Sequence, residues 1–158
     1  MKPELAEYKE REIKTIATNR KAFHEYTVVA TFESGIILLG TEVKSLRSGR
    51  CSMVDAYCTL RNNELYIINL HINEYDHGNR ENHKPKRERK LLLHDYEINK
   101  IRTSTAEKGM TVVPLEVYFS GHIVKLEIAT VKAKKKYDKR ESNKEREHKR
   151  EIERKMKY

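Results

Sequence analysis

Two stretches late in the chain, TVVPLEVYF (111–119) and HIVKLEIATV (122–131), alternate apolar and polar residues at period two. Between them sits Ser120-Gly121, a dipeptide suited to a two-residue turn. This spacing predicts an antiparallel hairpin with one apolar face, which must be buried against a second layer or by closure of the sheet on itself. Pro114 has no N–H to give a ladder, so its strand lies at an edge or bulges there.

The remaining signals are of the same kind. In HEYTVVATF (24–32), His24, Tyr26, Val28, Ala30 and Phe32 share one face, which predicts a strand. Ser34-Gly35 is expected to turn the chain into IILL (36–39), a short buried strand. After Gly40, Thr41 can cap a short helix with Val43 and Leu46 on one side and Gly49 at its end. MVDAYCTL (53–60) and ELYIINLHI (64–72) are β-rich on either side of Asn62-Asn63. KLLL (90–93) returns to the core, and Asp95 can cap a helix that carries Ile98 and Ile101 inward and stops by Gly109. About six short strands and two or three small helices predict a mainly β fold, a small closed antiparallel β-barrel over residues 19–131. Residues 1–18 are charged, lack periodicity and are expected to form a loose extension.

From Lys132 onward the chain changes character. Formal net charge is +9, and residues 132–158 hold thirteen Lys and Arg against six Asp and Glu. After Ala133 only Ile152 and Met156 are aliphatic or sulfur-bearing, too few to pack a face. Glu145–Lys149, Glu151–Lys155 and Glu153–Lys157 are i,i+4 pairs that favour helix. Nucleation is costly, so this basic tail is expected to be disordered alone and helical against a polyanion. A near-neutral body with such a tail points to nucleic acid or an anionic membrane surface.

Other chemistries find little support. Cys51 and Cys58, seven apart, form no CxxC pair and suit a reducing cytoplasm. MKPELAEYKE has no apolar h-region, and no run approaches the roughly 20 residues of a membrane span. His71, His77 and His83 recur every six residues, which places them on no common helical face. Glu33, Glu42, Asp55 and His24 could serve an enzyme, but no spacing binds them into a catalytic constellation. No cofactor, metal or catalytic activity is expected.

Two segments suit RNA. NRKAFHEY (19–26) sets Arg20, Lys21 and His24 beside Phe23 and Tyr26, cations for phosphates next to rings for bases, though composition fits equally a basic strand start with Phe23 and Tyr26 in the core. KKKYDKRE (134–141) places one ring, Tyr137, within a run of charge where there is no core for it to join. Such a ring suits stacking on an unpaired base, against the alternative of a tail that only solubilises the chain.

GTEVKSLRSGR (40–50), GNRENH (78–83), RKLLLH (89–94), EKGMTVVPL (107–115) and YDKRESNKER (137–146) resemble, in order and spacing, the signature segments of the small protein B (SmpB) family. These are tmRNA-binding proteins of bacterial trans-translation. The resemblance runs from about Asn19 to the C-terminus. It implies a monomeric, cytoplasmic, OB-like β-barrel that binds the tRNA-like part of tmRNA. With alanyl-tmRNA and the tRNA-delivering elongation factor, such a protein enters stalled ribosomes and lays its tail in the empty messenger channel.

The tmRNA contacts that the resemblance implies are Asn19, Arg20, Lys21, His24, Glu33, Leu92 and Lys125. At the small-subunit rRNA of the decoding centre it implies Lys134, Lys135, Tyr137, Asp138, Lys139 and Arg140. An ionised Glu33 suits the donor edge of a splayed guanine, and Lys125, alternating with Val124 and Leu126, suits a phosphate. Leu92 would support an unstacked base. Ala129 and Ala133 depart from the family's usual glycines at what would be the hinge between barrel and tail. The alternative is a ribosome-associated assembly or structural protein that uses the tail as an rRNA anchor.

Overall fold

The computed structural model describes residues 11–78 and 81–156, and the side chains of all of these except residues 136–138. The elements run β1 (Ile13–Thr18), α1 (Arg20–Glu25), β2 (Tyr26–Ile36), α2 (Gly40–Arg47), β3 (Cys51–Ser52), β4 (Tyr57–Arg61), β5 (Glu64–Ile68) and β6 (His71–Ile72). They continue β7 (Arg89–Leu92), α3 (Asp95–Thr105), β8 (Met110–Ser120), β9 (Ile123–Ala133) and α4 (Lys136–Lys155).

Strands β8, β4, β5, β7, β2 and β9 pair in that order, and β9 pairs back onto β8. Six strands thus close the expected antiparallel barrel. The β8–β9 hairpin is its longest ladder, and its register shifts between Pro114 and Glu116, so the proline sits at the expected bulge. Alternation along β9 sends Val124, Leu126 and Ile128 into the main core with Leu65, Ile67, Leu91 and Ile101. The same alternation turns Ala129 and Val131 outward, where they form a second, smaller cluster with Val113, Leu115 and Ala22 of α1.

Several local expectations give way to the ladder. Ser34-Gly35 makes no turn: β2 runs through to Ile36, because Ser34 and Gly35 pair with Leu126 and Lys125 of β9 and Gly35 also faces Leu92 of β7. Of IILL only Ile36 is in a strand, while Ile37 and Leu39 are about half exposed. Helix α2 is capped by Glu42, whose Oε1 accepts from the Leu39 N–H at 2.8 Å, rather than by Thr41. Strand β4 starts only at Tyr57, after Asp55 takes φ +61°, and Asn69 at φ +61° divides β5 from β6. Asn62-Asn63, with φ of +49° and +63°, is the expected primed hairpin turn. The last hairpin turns at Gly121-His122, since Ser120 still pairs with Ile123.

The N-terminal expectation also changes. Residues 13–18 pair with β8 from Ser120 back to Glu116, and Ile16 and Ala17 pack on the core. Residues 1–10 lie outside the described residues. At the other end β9 extends to Ala133, two residues past the expected boundary. Ala129 and Ala133 both lie in that strand without positive φ, so neither is a glycine-requiring hinge. The tail, expected to be disordered alone, is helical here from Lys136 to Lys155.

Buried among these elements, Glu42 accepts from Arg87 at 2.5 Å and from the Arg89 Nε. Arg89 also donates to the carbonyls of Leu70 and Pro85. Glu42 therefore ties α2 to Arg87, between β6 and β7, and to Arg89, which opens β7. His83 is likewise internal, bonded to Thr41 Oγ1 at 2.9 Å and Ile72 O at 2.8 Å.

Candidate nucleic-acid interface

NRKAFHEY begins with a helix, not a strand. Asn19 caps it: its Oδ1 accepts from the Ala22 N–H at 3.2 Å, and its Nδ2 donates to Pro114 O at 2.8 Å. Its own N–H donates to Leu115 O at 2.7 Å, so Asn19 fastens α1 to β8. Ala22, the one fully buried residue of α1, sits on Ala129 and Val131. That packing turns Arg20 and Lys21 to solvent and leaves Phe23 half exposed. Lys21 Nζ lies 3.3 Å from Asp55, whose hydrogen bond and charge raise the lysine pKa. His24 Nε2 is 2.6 Å from Asn143 Oδ1 of α4.

Glu33, Leu92 and Lys125 come together at the other end of β2. The Lys125 Nζ stands 3.3 Å from Glu33 Oε1, and the Tyr118 hydroxyl donates to Glu33 Oε2 at 2.5 Å. The tyrosine hydrogen bond, with Lys125 adding to it and partial burial opposing, holds the Glu33 carboxyl below its ordinary pKa. Glu33 is therefore an ionised, acceptor-only group at neutral pH, with lone pairs left for further donors. Leu92 is half exposed, with its Cβ packed where a side chain on Gly35 would stand. These residues line a shallow concavity of about 360 Å³ together with His94 and Tyr96.

The two groups share one surface. Glu33 and Lys125 project from the outer side of the β2–β9–β8 ladder, and α1 lies across that same side at Ala129 and Val131. Seven strand positions separate Tyr26, at the end of α1, from Glu33, a span on the order of 20 Å, and the β2 bulge between Val28 and Ala30 lets both face outward. Glu116 and Glu127 stand beside Glu33 on the ladder. This end of the face is acceptor-rich and suits base donors, whereas the α1 end offers cations for phosphate.

The tail leaves next to α1. Lys134 Nζ donates to Phe23 O at 3.2 Å and to Ser142 Oγ at 3.0 Å. Lys135 and Arg140 are exposed and Lys139 half-buried. Tyr137 and Asp138 fall within α4, but their side chains lie outside the described residues. Sequence reasoning missed Tyr118 and Asn143, the partners of Glu33 and His24, and considered Asp55 only as a candidate acid, not as the partner of Lys21. Only the strand register and the docking of α4 bring them there.

The SmpB protein family model matches residues 16–158. The chain belongs to the SmpB family. An SsrA-binding protein of Pelotomaculum thermopropionicum is 48% identical over 145 residues, covering 92% of this chain and 95% of that one. One from Carboxydothermus hydrogenoformans is 51% identical over 140 residues, covering 89% and 94%. Among solved structures, a chain described under "tmRNA-SmpB: a journey to the center of the bacterial ribosome" is 40% identical, with a TM-score of 0.65. That match covers 76% of this chain and 85% of the solved one. The signature segments of this SmpB-family chain do two kinds of work. Glu42 of GTEVKSLRSGR and Arg89 of RKLLLH hold the fold, while Leu92 and His94 of RKLLLH reach the exposed concavity. Of GNRENH, residues 79–80 lie outside the described residues.

Proposed function

We propose that this protein binds the tRNA-like domain of tmRNA through the outer β2–β9–β8 face and α1, and delivers it to stalled ribosomes in trans-translation. Membership of the SmpB family along nearly the whole chain carries this reading. Arg20, Lys21 and His24 meet backbone phosphates, while Asn19 holds the helix that presents them. Glu33 accepts from the Watson–Crick edge of an unpaired guanine, Lys125 meets a neighbouring phosphate, and Leu92 supports the displaced base. Lys134, Lys135, Tyr137, Asp138, Lys139 and Arg140 engage small-subunit rRNA at the empty decoding site.

The protein works by binding, not by catalysis, and needs no cofactor. No described helix is long and apolar enough to cross a membrane, and ribosome rescue places its work in the cytoplasm.

The test is binding of the full chain to the tRNA-like domain at near-physiological salt, with excess ordinary tRNA as competitor. Tight binding that survives the competitor is expected. Binding erased by the competitor means that the barrel sees only polyanion, and the proposed function then fails.

A further inference from the structure

At the rim of the Glu33–Lys125 concavity, on its α3 side, His94 and Tyr96 lie with their rings within 6° of parallel and centroids 5.5 Å apart. Tyr96 is 60% exposed, and Lys100 Nζ lies 5.7 Å from its ring centroid. The stack has a local cause. The Glu97 carboxylate accepts from the His94 N–H at 3.0 Å, and this fixes the backbone where α3 begins. Both side chains then project from the start of one helix instead of entering the core.

Exposure alone would mean little, since Phe23 and Tyr57 are also exposed. What sets Tyr96 apart is its setting: a second ring in parallel, a cation near its face, and an ionised acceptor beside an ammonium in the same hollow. A flat π-surface next to hydrogen-bonding groups and cations is the arrangement that holds an unpaired nucleobase. We infer that the His94–Tyr96 pair is a base-stacking platform, seating an unpaired nucleobase of the bound RNA at the concavity while Lys100 meets the adjoining phosphate. This rests on the RNA-binding reading and adds residues to it.

The platform makes one share of the affinity depend on the Tyr96 ring, separable from the share that rests on the charge of Lys100. The test uses the full chain and tRNA-like-domain RNAs with 2-aminopurine at single unpaired positions, because stacking quenches that base. The wild-type protein is expected to quench one position. Tyr96→Ala is expected to lose that quench and roughly 5- to 150-fold in affinity, with the salt slope unchanged. Tyr96→Phe should keep both. Lys100→Ala should lower the salt slope by about one phosphate contact and retain the quench.

Wild-type affinity and quench in Tyr96→Ala would overturn the platform and leave the RNA-binding reading standing. Equal loss in Tyr96→Phe would overturn it too, by showing that the hydroxyl matters and not the ring. Failure of the wild-type protein to hold the RNA against competitor tRNA would bring down both readings.

Discussion

Tyr118 and Glu33 stand two strands apart on the barrel surface, joined by a 2.5 Å hydrogen bond from the phenol to Oε2. Burial and the adjacent carboxylate both raise the Tyr118 pKa, so the phenol remains a donor at any working pH. The carboxylate is thus held ionised and aimed before any ligand arrives.

That relationship predicts a pH effect. Removing the hydroxyl in Tyr118→Phe takes away the largest cause of the lowered Glu33 pKa, which should rise toward the ordinary value. A lowered carboxyl pKa favours the folded, ionised state above the unfolded pKa, and the benefit is lost as pH falls through the folded pKa. RNA binding that needs ionised Glu33 should therefore fail at a higher pH in Tyr118→Phe than in wild type. Carboxyl NMR titration of Glu33 beside binding curves checks this, and identical titrations would remove the aiming role.

Glu42 predicts a loss of stability. Although burial pushes its pKa up, the Leu39 N–H and the two guanidinium groups outweigh it and hold the carboxyl below its ordinary value. Glu42→Gln leaves Arg89 buried without its counter-charge, and should cost about 3–5 kcal/mol in urea unfolding. In wild type the ion pair contributes fully above the ordinary carboxylate range, and its contribution is lost as pH falls through the lowered pKa of Glu42. A cost under about 1 kcal/mol would show that water or rearrangement replaces the pair.

Cutting the chain after Lys135 should separate two activities. The barrel keeps every ladder, including Tyr26↔Ala133, so affinity for the tRNA-like domain should stay close to wild type. Tagging on stalled ribosomes should be abolished. If binding to the tRNA-like domain collapses as well, the tail is part of that interface.

Tyr137→Ala should impair tagging far more than Tyr137→His, because either ring can stack on a base and a methyl cannot. Tagging assays on stalled ribosomes with both variants decide it. Equal defects would leave the ring without a stacking role.

Much of the barrel was legible because its signals are local. Period-two alternation, Asn62-Asn63 and Pro114 each act through their own backbone chemistry. Helix α1 was not legible in this way, because HEYTVVATF continues a strand pattern back to His24. Its helix depends on Ala22 meeting Ala129 and Val131, residues more than a hundred positions away. The same holds for β1, whose modest apolar content gains meaning only against β8. Glu42 looked like a free acid, and only its two arginines reveal a structural role. Glu33 and Lys125 entered through the family resemblance, and strand register supplies their geometry.

The course of β2, one strand with a single bulge between Val28 and Ala30, has a consequence for selectivity. With α1 at one end and Glu33 at the other, the two recognition points are spaced by a rigid strand and not by an adjustable loop. In the proposed mode an RNA profits from both only when its own phosphate and base features sit at that separation, so the protein gauges length as well as chemistry. One residue inserted between Ala30 and Glu33 would turn that carboxylate toward the interior while leaving α1 in place. Every contact residue would survive, and the gauge would be gone.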